Sequence, residues 1–119
     1  MSSIIFGILY AVLSIMSGAF IQHAMQDQLS VQSLNALQTA AKYLFYNAVP
    51  LIILFFTNDK WQWPRLISLG FISFGLIFSG SIFLLVFTSI RWVAYLTPIG
   101  GIGIILSWIF WLIIIIKKN

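Results

Sequence analysis

His23 is the chain's single histidine, and Asp27 and Asp59 are its two acidic side chains. A metal centre draws three or four ligands from histidine, cysteine and carboxylates. Only Asp27 lies near His23, and the absence of cysteine removes thiolate sites and disulfides altogether. A hydrolytic centre needs a nucleophile, a base and an orienting acid, which one histidine and two aspartates outside the apolar segments do not supply. Proton-coupled antiport asks for a carboxylate embedded in the membrane, and no apolar segment carries one. The expectation is therefore a protein that is not an enzyme, with no catalytic residue, no metal and no cofactor. His23 retains two readings: a proton-handling group or ligand, or a hydrogen-bonded interfacial residue that orients the adjoining connection.

A second set of polar residues has helical spacing. Gln38, Lys42 and Tyr46 recur at steps of four, with Asn47 one position round and Tyr43 paired with it at i,i+4. Such side chains could line a pocket for a quinone headgroup, a lipid headgroup or water. They could equally hydrogen-bond across a helical bundle and satisfy backbone freed by Pro50. Lys42 could pair with Asp27 or extend to the membrane surface. Ser79 and Ser81 flank Gly80 further along the chain. Gly100, Gly101 and Gly103 lack the preceding strand and following Lys-Ser/Thr of a phosphate loop, which leaves close helix packing as their reading.

These residues are carried by an overwhelmingly apolar chain. Of its 119 residues 61% are hydrophobic and 7% charged, against about 25% charged in soluble domains. Residues 66–90 and 92–116 contain no Asp, Glu, Lys, Arg or His, and about 20 apolar residues suffice for a helix to cross the hydrocarbon core. The fold expected is all-α, a single integral membrane four-helix bundle, with spans over 4–20, 40–56, 66–88 and 98–116. Residues 22–39, rich in Gln, Ser and Asn, form a polar connection at the membrane surface. Within it Leu34, Leu37 and Ala41 keep helical spacing, so the second helix is expected to start near Ser33 and enter the membrane around Ala40. The first span, without a basic leader, is read as retained rather than cleaved.

Small residues mark the expected contacts between helices. Gly7, Ala11, Ser14 and Gly18 fall on one face of span one, and Gly80, Gly100 and Gly101 serve spans three and four. Pro50 predicts a kink or local water in span two, since the Tyr46 carbonyl loses its helical donor. Trp61, Trp63 and Pro64 mark the start of span three. For span four, either the helix starts at Trp92 and bends at Pro98, or Thr97 caps a helix whose first residue is Pro98; the second is preferred. Four spans bring both termini to one side. That side holds Lys60, Arg65, Lys117 and Lys118 against Lys42 and Arg91 opposite, which orients the termini toward the cytoplasm. The net charge of +4 sits at segment ends rather than along a stripe, so nucleic acid is not an expected partner.

The stretch Gly18-Ala19-Phe20-Ile21-Gln22-His23, the segment Ala40-Ala41-Lys42-Tyr43-Leu44-Phe45-Tyr46-Asn47, the triplet Ser79-Gly80-Ser81 and the run Thr97-Pro98-Ile99-Gly100-Gly101 resemble, in order and spacing, the family of small membrane proteins known as domain of unknown function 423. Transmembrane protein 256 of animals is similar. The resemblance covers nearly the whole chain. It implies four transmembrane helices in a bacterial inner membrane, the preferred setting, or a mitochondrial one, and no established activity. Two departures stand out: the family pattern reads Gly-Ala-Phe-Gly-Ala-His where this chain has Ile21 and Gln22 before His23, and span two often carries a histidine where Asn47 stands here.

The function expected is that of an accessory or scaffolding subunit, packing against membrane lipid or a larger membrane complex. The alternative is a homo-oligomeric transporter or channel for a neutral solute, lined by Tyr43, Asn47, Ser79 and Ser81.

Overall fold

A run of apolar residues becomes a helix in lipid because every backbone polar group must find its partner within the segment. In the computed structural model, which describes residues 3–57 and 62–118, four α-helices follow in order: α1 (Ser3–Ala24), α2 (Val31–Phe55), α3 (Trp63–Thr88) and α4 (Leu96–Lys118), the last preceded by a 3₁₀ segment (Arg91–Tyr95). There is no strand among the described residues. Trp61 and the Asn58, Asp59 and Lys60 turn lie outside them.

Each helix end has a local cause. The Ser30 hydroxyl accepts from the Ser33 N–H at 3.1 Å, capping α2 two residues earlier than the expected start near Ser33. Residues 31–39 are thus all helical, the polar stretch expected at the membrane surface carrying the first turns of α2 from Val31 rather than from near Ser33. Leu37 and Ala41 explain the extension: they are buried with Ile21 of α1, and Phe83 and Val86 of α3 pack on the cluster. Pro64 sits in the first turn of α3, where an N–H is not needed. That helix closes on Ser89, whose φ of 58° is left-handed, with its N–H bonded to the Leu85 carbonyl at 2.9 Å.

The start of α4 differs from both sequence readings. The helix begins at Leu96 directly after the 3₁₀ segment, so Thr97 and Pro98 both lie within the first turn. Pro98 fits there because first-turn amides have no intrahelical acceptor. Thr97 is not the cap; its hydroxyl meets the Ser81 hydroxyl of α3 at 2.5 Å.

The helices pack in chain order: α1 on α2, α2 on α3, α3 on α4. Beyond a slight approach of α1 to α3, no other pair of helices comes into close backbone contact among the described residues, so α4 is held by α3 and the 3₁₀ segment alone. The core nevertheless draws on all four, with Tyr10, Leu44, Leu51, Phe71 and Ile104 among its members. Phe71 is completely buried and meets the Trp108 and Trp111 rings edge-on at 5.1 and 6.3 Å. The Tyr10 hydroxyl donates to the Ile72 carbonyl at 2.5 Å, tying α1 to α3.

Three segments are long and apolar enough to cross a membrane: α1, α3 and the stretch Arg91–Lys118. The second helix, expected as a span although it carries the polar set around Lys42 and Asn47, falls outside those three. Its first turns are polar, and Lys42, Tyr43, Tyr46 and Asn47 follow. Lying between α1 and α3, α2 buries more residues than any other helix, Leu37, Ala40, Leu51 and Leu54 among them. A helix screened by protein on two sides tolerates polarity that a lipid-facing helix does not.

Candidate functional site in the α1–α2 cleft

Two four-residue steps on neighbouring helices build a partly polar recess on the side of the bundle. On α1, Ser14, Gly18 and Gln22 stack on one face; on α2, Gln38, Lys42 and Tyr46 do the same. Antiparallel packing sets these rows beside each other around a cleft of about 480 Å³, completed by Ile15, Ala41 and Phe45. The Ser14 hydroxyl donates to the Ala41 carbonyl at 2.6 Å, closing the seam between the helices. One turn further, a Cβ added at Gly18 would meet nothing within 4 Å. Gly18 therefore departs from the packing role expected of it and leaves the cleft open.

The sequence-derived polar set divides between two sides of α2. Gln38, Lys42 and Tyr46 line the cleft. Tyr43 turns toward α3, its ring 4.6 Å from that of Phe78 and 5.2 Å from that of Tyr46. Asn47, 1% exposed, lies against Gly75 of α3 and donates from Nδ2 to the Tyr43 carbonyl at 2.6 Å. Its Oδ1 is buried without a hydrogen-bond partner, as is Nε1 of Trp111. Ser79 donates to the Ala40 carbonyl at 2.8 Å and Ser81 to the Phe78 carbonyl at 2.9 Å. His23 is exposed on the last turn of α1, and Asp27 is exposed in the turn beyond it. Among the described residues no three His, Cys, Asp or Glu side chains gather as a metal site would require.

The small residues also divide. A Cβ at Gly7 would lie 3.1 Å from the Ala48 carbonyl oxygen and 2.8 Å from Ile52 Cγ1, and one at Gly100 would lie 2.6 Å from the Phe78 backbone nitrogen. Both are true close-approach positions. Ala11 packs on the core, and Gly101 makes ordinary contact with the Phe78 ring, 3.4 Å away. Gly80, like Gly18, faces open space; it lines a second, almost wholly apolar recess of about 420 Å³ between α1 and α3, floored by Leu44 and Ser79.

Sequence reasoning missed Gln22, Ile15 and Phe45 as cleft residues. The matching four-residue steps 14, 18, 22 and 38, 42, 46 were the available signal. The cleft combines one cation and several hydrogen-bonding groups with an apolar wall and holds no carboxylate, so it offers polar and hydrophobic surface side by side.

Known proteins agree with a membrane setting. The chain is 31% identical over 117 residues to the UPF0382 membrane protein YwdK of Bacillus subtilis, covering 96% of this chain and 95% of that protein. It is 33% identical over 118 residues to the UPF0382 membrane protein SAB0533 of Staphylococcus aureus, covering 96% and 94%. It is 33% identical over 111 residues to the UPF0382 membrane protein SSP2132 of Staphylococcus saprophyticus, covering 89% of each chain. No solved structure matches. The family described as "Protein of unknown function (DUF423)" matches residues 17–101, and the chain belongs to that family of membrane proteins with no established activity.

Proposed function

We propose that the protein is a non-catalytic accessory subunit of the bacterial cytoplasmic membrane, with both termini in the cytoplasm, which packs against lipid and a larger membrane protein complex. The observation that carries this reading is the state of α4. It is the least buried of the apolar spans and, among the described residues, rests on α3 and the short 3₁₀ segment alone. Ile102, Ile105, Ile109 and Ile116 are all between 45% and 62% exposed along its outer side. A membrane helix with one neighbour offers the remainder of its surface to acyl chains or to another membrane protein, and gains stability from either through van der Waals contact.

The orientation rests on charge. Arg65, Lys117 and Lys118 lie at the end of the molecule where α1 begins and α4 finishes, Arg91 lies at the other, and Lys42 is near the middle of α2; cations collect on the cytoplasmic side. A pore through a single chain gains no support from Asn47, Ser79 and Ser81, which are 1–3% exposed and bonded to backbone.

Extraction of native membranes in mild detergent, followed by native electrophoresis, tests the proposal. Co-migration with a larger species, whose other members are then identified by mass, is the expected outcome. Migration as a lone small species from gently solubilised membranes overturns it.

A further inference from the structure

Two recesses along the α3–α4 contact share Leu66 and so form one groove. At the end where α3 begins and α4 finishes, Gln62, Trp63, Leu66, Ile114, Lys117 and Lys118 bound a recess of about 390 Å³. Below it Leu66, Gly70, Leu106, Phe110 and Ile113 help to line a second of about 460 Å³. The groove follows one stripe on each helix: positions 106, 110, 113 and 117 recur at steps of three and four on α4, as 63, 66 and 70 do on α3.

The helix contact fixes the level of each recess. A Cβ on Gly70 would lie 2.5 Å from Ser107 Oγ, so these residues face each other. Trp63 is seven residues from Gly70, and Lys117 is ten from Ser107 toward the same end, which sets Lys117 about 4–5 Å further out than Trp63. Tryptophan belongs at headgroup depth, and Lys117 and Lys118 close the charge-free run 92–116. The first recess therefore stands at the membrane edge, and the second lies in hydrocarbon. From Lys117 to Gly103, at the far end of the groove, α4 runs about 21 Å, enough for a headgroup phosphate and one leaflet of a core about 30 Å thick.

The two recesses differ in what they attract. Lys118 Nζ lies 4.9 Å from the Trp63 ring centroid, and Lys117 is exposed beside it. Asp27, the one acidic side chain among the described residues, is at the other end of the molecule. Cations at the membrane edge draw anionic headgroups. Lower down, the Ser107 hydroxyl already donates to the Gly103 carbonyl at 2.9 Å, while Leu66, Leu106, Phe110 and Ile113 are 44–58% exposed. That surface takes hydrocarbon. A soluble anion suits only the first recess, and a neutral lipid only the second.

We infer that the α3–α4 groove binds one anionic phospholipid, its phosphate on Lys117 and Gln62 within the field of Lys118, and one acyl chain laid past Leu66 against Phe110 and Ile113. The site requires only that α3 and α4 lie in lipid, so it goes beyond the accessory role and stands or falls separately from it.

Native mass spectrometry of the full chain, released from a neutral detergent, tests the inference with phosphatidylglycerol, phosphatidylcholine and glycerol phosphate added in parallel. One phosphatidylglycerol is expected to be retained in preference to phosphatidylcholine. Lys117→Gln is expected to weaken that retention about fivefold, the effect of losing one cation near a headgroup, and Lys117→Arg to preserve it. Arg91→Gln removes the same charge at the opposite end of the molecule and is expected to change nothing. Leu66→Trp, which narrows the passage between the recesses at an exposed position, is expected to weaken retention while far-ultraviolet circular dichroism and elution volume stay as in the parent. Equal retention of the two lipids, equal effects of Lys117→Gln and Arg91→Gln, indifference to a folded Leu66→Trp, or displacement by glycerol phosphate at matching concentration would each overturn the site. Should Leu66→Trp fail to fold, the comparison of Lys117→Gln, Lys117→Arg and Arg91→Gln decides.

Discussion

Gly100 and Gly80 share a residue type and a helical setting but not a neighbour, and exchanging each for alanine separates packing from propensity. Alanine favours a helix over glycine by about 0.5–1 kcal/mol, largely by restricting the unfolded chain, and both substitutions receive that gain. At Gly80 the added methyl meets nothing within 4 Å, so Gly80→Ala is expected to be neutral or to stabilise by up to about 1 kcal/mol. At Gly100 the methyl would sit 2.6 Å from the Phe78 nitrogen, 2.8 Å from its Cα and 2.9 Å from the Phe74 oxygen, where carbon contacts are normally about 3.5–4.0 Å. Those three atoms are backbone and cannot rotate aside, so α4 must move off α3, the one α-helix it packs on among the described residues. Overpacking of this kind costs about 1–3 kcal/mol. With no side chain to yield, the upper end applies, and Gly100→Ala is expected to destabilise by about 2 kcal/mol after the propensity gain. Reversible unfolding in mixed micelles, with both variants measured beside the parent, reads the difference. Gly100→Ala proving as stable as Gly80→Ala would refute the close approach of α3 and α4.

Other substitutions test the remaining features. Asn47→Leu keeps a branched side chain and removes the orphaned Oδ1; since leaving a polar atom buried and unpaired costs about 1–3 kcal/mol, the variant is expected to equal or exceed the parent in stability, and a loss above about 2 kcal/mol would show that Oδ1 is satisfied after all. Ser89→Gly relieves a left-handed φ of 58° and is expected to raise unfolding stability in micelles by about 0.5–1 kcal/mol, whereas Ser89→Val lowers it. Ser30→Ala removes the cap of α2 at a cost of about 1 kcal/mol, seen as faster amide exchange confined to the first turn after Val31.

Much of the architecture was legible because lipid imposes simple rules. Residues free of charge over 66–90 and 92–116 became α3 and α4, and Pro64 and Trp63 marked the start of α3 as expected. The start of α2 lies two residues before the expected Ser33, because Gln32, Asn35 and Gln38 obscure the burial of Leu37, which depends on Ile21 in the last turn of another helix and on Phe83 packing from a third. Composition registers polarity; it does not register who covers the apolar face. Thr97 was misread for a similar reason: its hydroxyl has a partner in Ser81, sixteen positions away, and no local pattern reveals it.

The site was half legible. Steps of four identified the flank of Gln38, Lys42 and Tyr46, but Asn47 is one residue further, about 100° round the helix, and that rotation carries it from the cleft to the α3 interface. Gly7 and Gly18 belong to one stripe of small residues, yet only Gly7 meets a neighbouring backbone. Where two helices diverge is a property of their whole contact, so a stripe shows where close approach is permitted and not where it happens.

Crossing by α2 is the point on which the membrane topology turns, because that helix is the one whose composition would not place it in lipid unaided. The chain has no cysteine, so single cysteines at Gln28, Gln62, Thr88 and Lys118 each give an unambiguous signal with a membrane-impermeant maleimide applied to intact cells. Labelling at positions 28 and 88, with protection at 62 and 118 until the cells are opened, is expected. Labelling of positions 28 and 62 from the same side would mean that α2 does not cross, and would contradict the four-helix membrane fold.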